Sequence, residues 1–266
     1  GDVGARGTAF KVRVVVLATA LVLVVLYAVG DVRRREGRTR WDRTLDVAVI
    51  VVSKTPVDPS LFAGLRARIP TLDARLAEEG RTYRKGMGAP FAFHLYGPIV
   101  TATLPPKAGG EGLGDLARHT LAMRAYTREI DAAAAIDADT YDSRIYLTVT
   151  PRAAKERAWV EGESEQGGKL GQVTVELDDT MLDVAWMVVT HEAFHTLGAT
   201  DKIDASGRTL VPQGLADPAQ IPLYPQRRAD VMARGRLVAP GHEELVDSLA
   251  ELGVGPDTAR EIRWVE

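Results

Sequence analysis

The run His191-Glu192-Ala193-Phe194-His195-Thr196-Leu197-Gly198-Ala199-Thr200-Asp201 restricts the fold more than any other stretch of this 266-residue chain. Upstream of it, Thr180-Met181-Leu182-Asp183 resembles a capping box and marks a helix start. The sequence that follows is apolar nearly all round through Val189, the pattern of a buried helix. At 3.6 residues per turn, His191 and His195 fall on one face, one turn apart, where two imidazoles can grip one ion. Glu192 is offset by about 100° round the axis, which lets its carboxylate reach an attacking water instead of the ion. Gly198 lacks a Cβ and can take the left-handed conformation that ends a helix, so the chain can turn and bring Asp201 back toward the histidines. Three protein donors with an open fourth position describe a catalytic zinc site, with Glu192 as general base.

Cysteine is absent, which excludes disulfides, a thiolate metal site and a cysteine nucleophile, so any metal must be held by nitrogen and oxygen. With 33 basic and 36 acidic side chains the formal net charge is -3, and no electrostatic bias toward nucleic acid follows. At 45% hydrophobic residues, the chain beyond its N-terminal segment can bury the core of one good-sized domain.

The exception to this composition is Val14–Val29, sixteen residues without a charge. The run reads as a transmembrane anchor, as a signal-peptide core ahead of the small residues Ala28 and Gly30, or as a buried helix; the anchor is the first expectation. Arginines 33, 34, 35, 38, 40 and 43 follow it, while Arg6, Lys11 and Arg13 precede it, so charge does not fix its orientation. The expected division is an N-terminal flank over 1–13, the anchor or signal segment over 14–29, a basic linker over 30–44 and a catalytic domain over 45–266.

Leu45–Val52 is a nearly continuous β-branched run and reads as a strand covered on both faces. A helix follows Pro59 and extends to Glu79, with Leu61, Leu65, Ile69, Leu72 and Leu76 at helical spacing and Pro70 expected to kink or split it. Phe91–Val100 reads as a second strand, Lys107–Gly114 as a Gly-rich loop, and Leu116–Ile136 as a second helix. Arg144–Thr150 and Gly171–Leu177 read as strands separated by the polar segment Glu161–Gly168. No helix fits between them, which favours an antiparallel relation and hence a mixed sheet. Lys202–Ala229 is long, aperiodic and rich in Pro, Gly and Asp, and Glu243–Leu252 and Asp257–Ile262 read as short helices.

The spacing of His191, Glu192, His195, Gly198 and Asp201 resembles the metzincin motif HExxHxxGxx(H/D), and its Asp form is similar to the snapalysin branch beside the matrixins. The resemblance spans roughly Leu45–Glu266. It implies an α+β, zincin-type fold: a mixed twisted sheet with an antiparallel edge strand, a long active-site helix, a Met-turn and a C-terminal helix. It also implies a zinc metalloendopeptidase in which His191, His195 and Asp201 hold Zn²⁺ and Glu192 is catalytic. Asp230-Val231-Met232-Ala233 looks like the family's Met-turn, with Met232 lying 31 positions after Asp201. By the same analogy Gly171–Leu177 would be the edge strand that receives an extended substrate. Asp204 competes with Asp201 as third donor, and the motif spacing favours Asp201. Some metzincins carry a Tyr two residues after the Met, where this chain has Arg234, so no oxyanion helper is assigned.

His94, His119 and His242 read as ordinary strand, helix and helix-capping residues, and the Gly-rich stretch matches no phosphate loop. The functional expectation is a membrane-anchored endopeptidase of peptide or protein substrates, with its catalytic domain on the extracytoplasmic side or secreted after signal cleavage. The alternative is a catalytically silent zincin-type scaffold in a membrane complex, although such a scaffold has no need of Glu192. An amidase acting on cell-wall peptides would share the metal chemistry.

Overall fold

The computed structural model describes residues 3–106, 112–152, 160–164 and 167–265. It contains two compact units, Gly1–Arg40 and Trp41–Glu266. The first holds a single helix, α1 (Val3–Arg38), on which Leu17, Leu21 and Leu26 are exposed. Among the described residues no helix is long and apolar enough to cross a membrane. The expected transmembrane helix over Val14–Val29 therefore lacks support. The seventeen uncharged residues between Arg13 and Asp31 reach only about 26 Å against a hydrocarbon core of about 30 Å.

The second unit is built on a five-stranded sheet in the order β2-β1-β3-β5-β4. The strands are β1 (Leu45–Ser53), β2 (Phe91–Val100), β3 (Ser143–Pro151), β4 (Val160–Ser164) and β5 (Leu170–Leu177). β1 pairs in parallel with β2 and β3, and β3 pairs in parallel with β5. β4 alone runs antiparallel, from Val160↔Val175 to Ser164↔Gly171. Two expectations are corrected here. β3 and β5 are parallel, and Gly171–Leu177 is an interior strand, so the antiparallel edge is the polar segment that reads as a connection. β4 carries Glu, Gly and Ser in place of an alternating apolar set, and thus lacks the pattern by which a strand announces itself.

Consecutive β1 side chains feed two cores, as an unbroken apolar strand requires. Val47, Val49 and Val51 face the helices α2 (Pro59–Tyr83) and α4 (Leu182–Thr196), whereas Ala48, Ile50 and Val52 face α3 (Leu113–Ala133) through Met123, Tyr126 and Ile130. Pro70 does not divide α2. It sits on the exposed side, while Leu65, Leu72 and Leu76 are fully buried on both sides of it, and this shared burial holds the two halves in one helix. α3 begins inside the stretch expected to be the Gly-rich loop, of which residues 107–111 lie outside the described ones.

The cap of the site helix also differs from the expectation. Asp178, not Thr180, accepts the Thr180 N–H (2.9 Å) and opens a 3-10 turn over Asp179–Met181 that runs into α4. Asp183 instead takes the Leu249 N–H and pairs with Arg68. Beyond α4 the chain is mostly irregular, with β6 (Ala229–Asp230) beside β9 (Leu252–Gly253), β7 (Arg236–Ala239) beside β8 (His242–Glu244), and α5 (Pro256–Glu261) at the end. Of the two short helices expected there, only the second forms; Glu243–Leu252 is a strand end, a 3-10 turn and another short strand.

Candidate metal centre

α4 lies against β3, β4 and β5, with Ala185, Trp186, Val189, Ala193 and Phe194 at most 1% exposed. This burial fixes the rotation of the helix and therefore the direction of its two histidines. Their rings meet edge to face with centroids 4.6 Å apart. Each Nδ1 donates to a backbone carbonyl at 2.9 Å, His191 to Val231 and His195 to Ala199. These bonds fix the tautomer and turn both Nε2 atoms toward one point, as a metal-ligating histidine requires.

Asp201 meets them there. Its Oδ1 lies 3.1 Å from His191 Nε2 and 3.2 Å from His195 Nε2. Zinc bonds of about 2.0–2.2 Å in a tetrahedron set neighbouring donors roughly 3.3–3.6 Å apart, so Asp201 Oδ1 stands close to that spacing from each imidazole nitrogen. The hydrogen bond from His191 and the two imidazoles hold the Asp201 carboxyl below its ordinary range. Burial works to lower the His191 pKa, but the bond to Asp201, the Glu192 charge and the Val231 carbonyl together raise it. A positive charge is thus favoured where the three donors converge. Asp204, the rival donor, is turned away and accepts from Ser206 N, Ser206 Oγ and Arg208 N of its own loop.

The return of the chain follows the expectation for Gly198, which has φ +102°. Gly198 N–H bonds to His195 O and Ala199 N–H to Phe194 O, closing the helix and swinging residues 199–201 toward its exposed face. Met232 is fully buried. Its turn acts through the backbone: Val231 O receives His191, and Met232 O receives the N–H of Lys202, the neighbour of Asp201.

Glu192 stands apart from the imidazole–carboxylate contact although it lies close enough to form, with His191 and His195, a group at metal-ligating spacing. It is 2% exposed, its Oε2 has no partner, and burial raises its pKa. Gly162 of β4 passes directly over it: a Cβ at that position would overlap Glu192 Oε1. Ser164 on the same strand donates to the Glu192 carbonyl at 3.3 Å. Gly162, Ser164, His191, Glu192, His195, Ala199, Thr200 and Asp201 line an open cleft of about 470 Å³.

Sequence reasoning missed Gly162, Ser164 and Glu261, and it named Asp230 in the methionine turn without giving it a role. Gly162 and Ser164 sit on a strand without apolar alternation, although the glycine between two glutamates is a visible irregularity. Asp230 is 1% exposed and accepts from Met232 N (2.7 Å), Gly255 N and Thr258 Oγ1 (2.9 Å), tying the methionine turn to α5. Its visible signal is an acid set against apolar Val231 and Met232. Glu261, which bonds Thr200, has no local signal. The remaining histidines lie elsewhere: His94 pairs with Asp46 at 2.8 Å, His119 is on α3, and His242 is on β8 rather than capping a helix. Arg234 is not among the cleft residues.

No family model matches the sequence, and no curated protein does. Among solved structures the chain is similar to archaemetzincin from Methanopyrus kandleri, at 14% identity over 83% of this chain and 94% of that one, with a TM-score of 0.37. It is also similar to a chain from a chaperone-substrate complex, at 12% identity over 84% of this chain and 35% of that one, with a TM-score of 0.30. Superpositions this loose say nothing about chemistry. What the fold and the site define is a mixed α/β protein with a parallel central sheet and an HExxH-type His-Glu-His cluster in an open cleft.

Proposed function

We propose that this chain is a zinc-dependent endopeptidase in which His191, His195 and Asp201 hold the ion and Glu192 is the general base. The observation that carries this reading is the convergence of two oriented Nε2 atoms and one carboxylate oxygen beside a buried carboxylate with an unpartnered oxygen. A purely structural site has no use for that fourth group. The donor set of two imidazoles and one carboxylate suits Zn²⁺, which when bound acts as a Lewis acid toward a water and a scissile carbonyl.

The protein's own groups then do the following. Val231 O and Ala199 O keep both histidines in the tautomer that leaves Nε2 free to donate its lone pair. Glu192, made more basic by burial, takes the proton of the attacking water and delivers it to the leaving amine. Gly162 leaves the space in which that carboxylate sits, and no residue with a Cβ can replace it without moving Glu192. Among the described residues β4 is the edge strand beside the cleft, so an extended peptide would add to it by main-chain pairing, a role that interior β5 cannot take.

We further propose that α1 tethers the catalytic unit to a membrane, on its extracytoplasmic side, before any signal cleavage. The exposed Leu17, Leu21 and Leu26 and the arginines that follow them support this reading. Flotation of the 266-residue chain with liposomes tests it, and recovery wholly in the lipid-free fraction would refute it.

The activity is tested by incubating the full chain with a peptide library, with and without a chelator, beside Glu192→Ala. Internal cleavage that the chelator abolishes, and that Glu192→Ala lacks while keeping its zinc, is expected. Bound zinc without chelator-sensitive cleavage of any peptide would leave a scaffold and overturn the enzymatic reading.

A further inference from the structure

We infer that Glu261, on the C-terminal helix, is the positioning residue for the third metal donor, so that the end of the chain belongs to the metal centre. This rests on the reading of Asp201 as a zinc ligand. A carboxylate carried on one methylene is shorter than an imidazole, so the main chain must come close to the ion and be held there. Asp201 itself is half exposed, and its Oδ1 meets the two imidazoles. Its flanks supply the hold. Glu261 Oε2 accepts the Thr200 N–H at 2.8 Å and Oε1 accepts the Thr200 hydroxyl at 2.7 Å. On the other side, Lys202 Nζ lies 2.6 Å from Glu261 Oε1 and donates to Thr200 Oγ1 at 2.8 Å. One carboxylate thus grips the residues immediately before and after Asp201.

The grip is anchored at both ends. The Lys202 side chain is only 5% exposed, and its N–H is bonded to Met232 O at 2.8 Å, so the ammonium cannot simply swing into water. α5 is pinned by Thr258 to the buried Asp230, by Trp41 Nε1 to Ile262 O at 2.7 Å, and by Trp264, whose ring lies 5.7 Å from Trp41 and 5.9 Å from Phe194. Phe194 adjoins His195 on α4, so the C-terminal helix is registered against the same helix that carries the two histidines.

The test is zinc affinity, measured by competition with a chromogenic chelator, and the visible spectrum of the cobalt-substituted protein. Both are recorded for wild type, Glu261→Gln, the double variant Glu261→Gln/Lys202→Met, and Asp201→Ala. The double variant removes the buried ammonium that the single one strands, and so separates lost positioning from lost stability. Outer contacts of this kind are worth about 10–100-fold in metal affinity. A loss of that size is expected in both Glu261 variants, with cobalt spectra moving toward that of Asp201→Ala. Wild-type affinity and spectrum in the double variant would overturn the positioning role alone. A wild-type chain that takes up neither metal would overturn it together with the zinc reading.

Discussion

The two halves of the candidate metal centre are built by different physics. His191, Glu192 and His195 lie on one buried helix, where a period of 3.6 residues and the packing of Trp186, Val189 and Phe194 decide every direction. Asp201, Val231 and Met232 lie on irregular chain, where no period operates. There, buried polar side chains hold the backbone: Asp230 takes three donors of the methionine turn and α5, Gln226 crosses the long loop to the Asp217 and Leu223 carbonyls, and Glu261 grips Thr200 and Lys202. A helix places donors through many small contacts, whereas the loop half depends on a few groups whose removal strands several others.

The largest effect is expected on the helix half, and it should be chemical. Glu192→Gln keeps the shape of the side chain but cannot accept a proton, so kcat/KM for peptide cleavage should fall by about 10²–10⁴-fold while zinc content stays at the wild-type level. Loss of zinc in this variant would mean that Glu192 is a ligand and would redraw the division between the halves.

On the loop half the largest effect should be on stability. Asp230→Ala leaves Met232 N, Gly255 N and Thr258 Oγ1 buried without their acceptor, so urea unfolding should show a loss of about 3–5 kcal/mol. A loss below about 1 kcal/mol would show that the turn does not hang on this residue. Gly198→Ala tests the junction between the halves. At φ +102° an alanine is strained although the space beside it is open, and about 1–2 kcal/mol should be lost, with weakened zinc binding as residues 199–201 shift.

The smallest effect serves as a control at a residue outside the cleft lining. Asp73 on α2 is pushed up to about 6 by burial, against the opposing Phe93 N–H and His94. Because the folded state holds this proton more tightly than the unfolded chain, the Asp73 contribution to stability is fully present below the ordinary value of 3.8 and is lost as the pH rises through about 6. Asp73→Asn should flatten the stability profile between those two pH values by about 1 kcal/mol, discounted for partial exposure, without altering zinc affinity. An unchanged profile would show that this carboxyl titrates normally.

The same contrast explains what the sequence revealed. The helix half could be read almost completely, because HExxH is a local periodic pattern and Gly198 a local conformational one. Strands β1, β2, β3 and β5 were visible for the same reason, as apolar runs. β4 was hidden: its Gly162 makes room for the Glu192 carboxylate and its Ser164 bonds the Glu192 carbonyl, so neither is chosen by a core. The parallel pairing of β3 with β5 was hidden too, since it depends on β4 lying outside β5, a relation that no single segment encodes. The Asp178 cap was missed by two residues because a 3-10 turn precedes α4. Asp230 reaches Thr258 across 28 positions of sequence and Glu261 reaches Thr200 across 61, and neither of these pairs forms a recognisable pattern.

The central claim is that Asp201 joins His191 and His195 to hold one ion, and elemental analysis after equilibrium dialysis against zinc tests it most directly. Wild type, Asp201→Ala and Asp204→Ala are compared. Stoichiometric zinc is expected in wild type and in Asp204→Ala, with most of it lost from Asp201→Ala. A wild-type chain without stoichiometric zinc, or full retention by Asp201→Ala, would contradict the account.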